Sequence, residues 1–168
     1  LSLYEFLGQL MGACARSQET LSVALAPIVW KQLLGREVQW DEVAELEPAV
    51  AQELAAIESG LALNGYSYTE KEFDEYWSTE KDFTVSFGEP CRQVAIMSGG
   101  ASRKLTFRSR LEYTRLVKAA YLHRFDKQIS AMRRGLLQYL PESLLLLWRG
   151  DELELAVAGE PDVPLDKL

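Results

Sequence analysis

Apolar residues recur at helical spacing from the first turn of the chain: Leu3, Phe6, Leu7, Leu10, Met11 and Cys14. That spacing predicts a helix with one face built for burial. Ser2, with Glu5 three residues on, predicts a capping-box start. Gly8 and Gly12 sit four apart beside the apolar face. Each costs about 1 kcal/mol of helix propensity against alanine, a cost that makes sense where another helix packs closely. Pro27 suits the first turn of a second helix carrying Ile28, Val29, Leu33 and Leu34, and Gly35 suits its end.

Helical spacing continues through the first half. Asp41 is placed to cap a short helical turn, and Pro48 to open a longer helix through Glu58 with Val50, Leu54 and Ile57 on one face. Gly60 and then Asn64-Gly65 supply turn chemistry. Thr69 and Glu72 predict another capping box, followed by Phe73, Tyr76 and Trp77 at helical spacing. The period then changes to two. Residues 82–87 alternate polar and apolar, as a half-buried strand does. Gly88-Glu89-Pro90 reads as a turn, Val94, Ile96 and Met97 as a second strand, Ser98-Gly99-Gly100 as a second turn, and Leu105 with Phe107 as a third strand.

Ser109 and Glu112 predict a capping box for one long helix, with Leu116, Val117, Ala120, Phe125, Ile129, Met132 and Leu136 on its buried face. Pro141 stops it and opens a helix from Glu142 to Trp148. Asp151 and Glu154 predict a cap for a last short helix, ended by Gly159 before Pro161 and Pro164. The pattern is α+β, mostly helical, with a short antiparallel sheet.

Composition narrows the class. The chain has 168 residues, 48% hydrophobic and 26% charged, enough for a sizeable core in one or two units. No apolar run approaches the roughly 20 residues of a membrane span, and no secretory signal is visible. A start at Leu1 suggests a fragment of something longer. Cys14 and Cys91 give neither a disulfide framework nor metal spacing, which fits a reducing compartment. The net charge of −7 conceals an asymmetry. From Glu37 to Glu89 fourteen acidic residues face two lysines; from Ala101 to Gly150 eleven basic residues face three acidic ones. Two readings follow: solvated faces that attract each other, or surfaces for different partners.

Catalytic chemistry is sparse. His123 is the sole histidine, so a histidine metal cluster is excluded. No phosphate-binding or dinucleotide fingerprint occurs. Glu70 with Glu72, and Asp74 with Glu75, read as exposed helix charges. Neither cysteine has a sequence neighbour that would lower its pKa enough to make a nucleophile. The basic stretch has little interleaved aromatic surface for nucleic-acid stacking, and the acidic stretch repels phosphate. No catalytic residue, metal ligand or cofactor is assigned, and neither nucleic acid nor membrane is expected as a partner.

The order of motifs carries more than the periodicity does. Phe6-Leu7-Gly8-x-Leu10-Met11-Gly12-x-x-x-Arg16, then Pro27-x-Val29-Trp30-Lys31-Gln32-Leu33, resembles the N-terminal lobe of HECT-type ubiquitin ligases. Downstream matches keep the family's order: Pro48 opening a helix, Phe87-Gly88, Ser98-Gly99-Gly100, Arg110-x-Glu112-Tyr113, Gln128-x-x-Ala131-x-x-x-Gly135-Leu136, Pro141, and Asp151-Glu152-Leu153-Glu154 with Gly159. Two positions depart from the family pattern: Ala158 stands where cysteine is usual, and Thr106-Phe107-Arg108-Ser109 replaces Thr-x-Glu-Asn.

The resemblance implies a mostly helical large subdomain in two parts, 1–38 and 111–168, around an inserted small subdomain, 39–110, that binds the ubiquitin-conjugating enzyme. It implies an apolar groove there that receives an aromatic side chain of that enzyme, formed by Val50, Glu53, Leu54, Phe83, Val85 and Tyr113. Ubiquitin would pass to a cysteine of a C-terminal lobe in the same full-length chain, beyond the residues in hand, and then to a substrate lysine. The fragment would be inactive alone, in the cytoplasm or also the nucleus. The alternative is a non-enzymatic helical interaction module.

Overall fold

In a computed structural model, residues 1–62, 65–88 and 92–160 are described. The elements in chain order are α1 (Ser2–Ser17), α2 (Pro27–Leu33), α3 (Trp40–Leu46), α4 (Pro48–Ser59) and α5 (Glu70–Glu80). The strands β1 (Thr84–Phe87) and β2 (Arg92–Ala95) follow, then a 3-10 turn (Gly100–Ser102). The chain continues with α6 (Arg110–His123), α7 (Asp126–Leu136), α8 (Glu142–Leu145) and α9 (Gly150–Ala158). The architecture is α+β and mostly helical. The chain divides into two compact units, one built from Leu1–Val38 with the residues from Phe125 onward, the other from Gln39–Arg124.

The first unit is organised by α1 against α7. A β-carbon on Gly8 would overlap the backbone of Met132, and one on Gly135 would overlap the backbone of Glu5. At Gly12 it would lie 2.9 Å from Tyr139 Cβ and 3.0 Å from the Leu136 carbonyl oxygen. The glycines therefore set the seam, with Met11, Met132 and Leu136 filling it. This rotates α1 from its expected face: Leu3 is 79% exposed and Phe6 55%, Leu10 also faces solvent, and Leu7 and Cys14 are half-buried. Trp30 and Leu33 of α2 and Leu153 and Val157 of α9 complete the core. Residues 19–26 run alongside, with Leu21 N–H donating to the Val157 carbonyl.

The second unit packs Leu54 and Ile57 of α4 and Phe73 and Trp77 of α5 against Phe83, Val85, Leu105, Tyr113 and Val117. Strands β1 and β2 pair antiparallel, Thr84 opposite Ala95 and Phe87 opposite Arg92. Among the described residues this sheet has two strands, not the three expected. Around Leu105 the chain makes one isolated bridge, Asp82 with Lys104, and Leu105 N–H donates to the Lys81 carbonyl. Ile96 and Met97 likewise lie beyond the end of β2.

Caps explain most other differences. At α5 the expected box forms: Thr69 Oγ1 accepts from Glu72 N–H at 3.3 Å and Glu72 Oε2 from Thr69 N–H at 2.9 Å. At α1 it does not: the N-cap is Leu1 and Ser2 is already the first helical residue, and Glu5 pairs with Arg134 instead. At α6 Glu112 is taken by Arg103 at 2.6 Å, and Ser109 bonds back to Thr106. At α3 and α9 the N-caps lie two residues upstream of the expected acids: Glu42 Oε2 accepts from Gln39 N–H at 2.9 Å and Glu152 Oε2 from Arg149 N–H at 2.8 Å. Helix α8 ends at Leu145, short of Trp148.

The single long helix expected from Ser109 to Leu136 is two helices. The break falls at Arg124-Phe125, Asp126 opens α7 in the acid-favouring first turn, and Phe125 is 43% exposed. Tyr113 and Val117 of α6 pack in the second core, and the compact unit that holds them runs from Gln39 to Arg124.

Candidate functional site

A groove opens in the second unit. Helix α4 contributes Val50, Glu53 and Leu54; the end of α5 and its exit contribute Glu80, Lys81 and Asp82. Thr84, Val85 and Ser86 of β1, Gln93 of β2, and Tyr113, Val117 and Tyr121 of α6 close it. It encloses about 270 Å³, the room for one large side chain. Five of the six residues singled out from sequence therefore line one concavity: Val50, Glu53, Leu54, Val85 and Tyr113.

The sixth does not. Phe83 is fully buried beneath the groove, edge-to-face with Tyr113 at 5.3 Å between ring centroids. The Arg103 guanidinium covers its other side, 4.3 Å from the ring centroid. Its N–H donates to the carbonyls of Gly100 and Arg103, and a β-carbon on Gly100 would overlap the Phe83 carbonyl. Phe83 thus joins the start of β1 to the glycine turn, supporting Tyr113 from below. Leu54 is 2% exposed, so it forms the base of the groove, not a protruding contact.

The walls are more polar than the resemblance implies. Lys81 Nζ pairs with Glu53 Oε1 at 2.7 Å, each side chain about a third exposed. Asp82 accepts from the Thr84 hydroxyl. Burial, then the Glu53 and Asp82 carboxylates, push the Tyr113 phenol well above its ordinary pKa. Burial, then Glu47, raise Tyr121, with Arg124 opposing. Both phenols stay protonated at neutral pH and offer hydrogen-bonding hydroxyls. Lys81, Asp82, Gln93, Val117 and Tyr121 were not singled out from sequence. Tyr113, Val117 and Tyr121 recur every four residues, a signal that was legible; the Lys81–Glu53 pair had none.

Much of the charge asymmetry is internal to this unit. Acidic-stretch residues meet basic-stretch residues in Glu47–Arg124 (2.9 Å), Glu58–Lys118 (2.7 Å) and Glu70–Arg108 (2.8 Å). Asp74 also accepts from Phe107 N–H at 2.6 Å. Among the described residues, no three or more His, Cys, Asp or Glu side chains are grouped to hold a metal ion. No described helix is long and apolar enough to cross a membrane. Cys14 is half-buried on α1, His123 is exposed on α6, and Cys91 lies outside the described residues.

Comparison with known proteins gives one consistent family. The family model described as HECT-domain (ubiquitin-transferase) matches residues 1–168. The E3 ubiquitin-protein ligase HERC2 of Homo sapiens is 34% identical over 167 residues, which cover 99% of this chain and 3% of the relative. The E3 ubiquitin-protein ligase HACE1 of Gallus gallus is 28% identical over 168 residues, covering 99% of this chain and 17% of the relative. HACE1 of Homo sapiens is 28% identical over 165 residues, covering 97% and 17%. The chain thus spans a small part of the relatives it matches.

Proposed function

The chain belongs to the HECT-domain (ubiquitin-transferase) family, and on that premise we propose that its second unit recruits ubiquitin-loaded conjugating enzyme through the groove between α4, β1 and α6. Ubiquitin then passes to a cysteine in the C-terminal lobe of the full-length chain, and from there to a substrate lysine. In this reading the nucleophile lies in the C-terminal lobe, and this stretch acts by positioning. It raises the effective concentration of one thioester near the acceptor cysteine and fixes its orientation. The full-length protein acts in the cytoplasm or also in the nucleus.

The observation that carries this reading is the convergence of Val50, Glu53, Leu54, Val85 and Tyr113, drawn from three separate elements, on one side-chain-sized concavity. Half-buried Val50 and the base formed by Leu54 and Val85 offer apolar surface. Glu53, Glu80 and Asp82 surround it with carboxylates that attract a basic partner face.

Titration of this chain against a panel of conjugating enzymes by calorimetry tests the proposal. Saturable binding by at least one, lost on Val50→Asp in a folded protein, is the expected result. Binding by none, or binding indifferent to Val50→Asp, overturns it.

A further inference from the structure

Outside the groove, the second unit carries a cluster of exposed rings. Tyr76 on α5 is 49% exposed and Tyr66, ahead of α5, is 55% exposed; Tyr68 is half-buried. Tyr66 meets Tyr68 edge-to-face at 5.8 Å between ring centroids, and Tyr68 stacks on Tyr76 at 5.8 Å. Two buried rings hold this ladder to the core, Phe73 against Tyr68 at 6.2 Å and Trp77 against Tyr76 at 5.0 Å. Rings braced in this way lose little freedom when a partner covers them. Tyrosine, with an apolar body and a polar tip, is also a side chain that interfaces favour.

The ladder has a charge and a direction. Glu72, Tyr76 and Glu80 are spaced four apart on α5 and share one stripe of it. Glu70 is matched by Arg108 at 2.8 Å and Glu75 by Lys71 at 3.6 Å. The Glu72 carboxylate accepts only from neutral donors, Thr69 and Tyr66. Glu80 is exposed and makes no ion pair among the described residues. Because Glu80 is also a wall of the groove, the stripe leads from the ladder into it. The groove encloses about 270 Å³, room for one side chain, whereas a specific interface covers roughly 600–800 Å² of each partner. A protein that seats a side chain there rests on the surface beside it as well. The stripe ending at Glu80 supplies aromatic surface with unmatched carboxylates along its margin.

Resting on the recruitment reading above, we propose that the Tyr66–Tyr68–Tyr76 ladder is a second contact surface for the conjugating enzyme, outside the groove. It takes a basic, partly apolar patch of that enzyme next to the inserted side chain. Alkyl stems of the patch's lysines and arginines lie on the rings, and their charged heads meet Glu72 and Glu80. The groove sets where the enzyme docks. The ladder adds affinity and fixes the enzyme's rotation about its inserted side chain.

The test uses this chain and one conjugating enzyme that binds it, free of ubiquitin, with calorimetry for affinity and thermal melting for folding. Tyr76→Ala should weaken binding about tenfold, the scale of truncating an interface tyrosine that carries binding energy. Because Tyr76 also packs on Trp77, the more peripheral Tyr66→Ala is the second variant; it should weaken binding several-fold with little change in melting temperature. Parent-like affinity in either variant that remains folded overturns the inference and leaves recruitment standing. So does a loss seen only when free ubiquitin is titrated in place of the enzyme. So does sedimentation in which the ladder joins two copies of this chain. Absence of enzyme binding, or binding that survives Val50→Asp, overturns the recruitment reading and this inference with it.

Discussion

Gly8 of α1 and Met132 of α7 meet backbone to backbone: a β-carbon on Gly8 would overlap the Met132 carbonyl. Gly135 does the same from the opposite helix against Glu5. Neither helix can yield at these points by turning a side chain, because the obstructing atoms are main chain.

Gly8→Ala should therefore destabilise the chain by about 2–3 kcal/mol, at the upper end of the cost of overpacking, despite the roughly 1 kcal/mol that alanine gains in helix propensity. Gly12→Ala should cost less, since the overlap is smaller: its β-carbon would lie 2.9 Å from Tyr139 Cβ and 3.0 Å from the Leu136 carbonyl oxygen, not inside a backbone group. Denaturation in urea compares the two. Equal stability of Gly8→Ala and the parent chain would contradict the close approach.

Leu54 and Val50 sit one turn apart on α4 but differ in burial, Leu54 being 2% exposed and Val50 half-buried. Leu54→Glu should cost several kcal/mol or prevent folding, because it buries an unpaired carboxylate. Val50→Asp should cost about 1 kcal/mol or less, nearer to a surface change, while weakening conjugating-enzyme binding at least tenfold. Thermal melting and titration on the two variants separate base from wall.

Association should slow as salt rises. The charges at the groove mouth are solvent-facing, and at physiological ionic strength interactions beyond a Debye length of about 8 Å are largely screened. Glu80→Lys should lower the on-rate for a basic conjugating enzyme and change its off-rate less. Stopped-flow measurements between low and high salt check this. A salt-independent on-rate would show that the intramolecular pairs leave no net field at the groove.

The cap of α5 should give stability an acid limb. Hydrogen bonds from the Thr69 backbone and side chain, ahead of a weaker opposing effect of burial, hold the Glu72 carboxyl below its ordinary value of 4.5. The carboxylate's contribution is complete above that value and is lost as pH falls through the lower folded-state pKa. Thr69→Ala should weaken the cap and shrink this pH dependence. Helicity and melting temperature followed from pH 6 to pH 3 should therefore converge for the two proteins at the acid end.

Helical and strand periods, Pro48 and Pro27 at first turns, and Gly60 at the end of α4 were determined by the sequence alone, because each is a local steric or hydrogen-bonding preference. So was the reason for Gly8 and Gly12: two glycines in a helix imply a close neighbour. The ordered motifs also sufficed to identify the HECT resemblance and five of the groove's residues. Tertiary structure alone decided which neighbour met those glycines, and hence that α1 buries the Gly8–Met11–Gly12 side and leaves Phe6 in water. It also decided which acids cap. Glu5 and Glu112 have capping spacing, but Arg134 and Arg103 arrive from elsewhere in the chain and compete for them. Phe83 and Val85 obey the same strand alternation, yet Phe83 lies beneath the groove and Val85 lines it, because the Gly100 turn holds only Phe83 from below. The groove's polarity follows the same logic: Lys81 meets Glu53, 28 positions away, only after folding has brought the end of α5 beside α4.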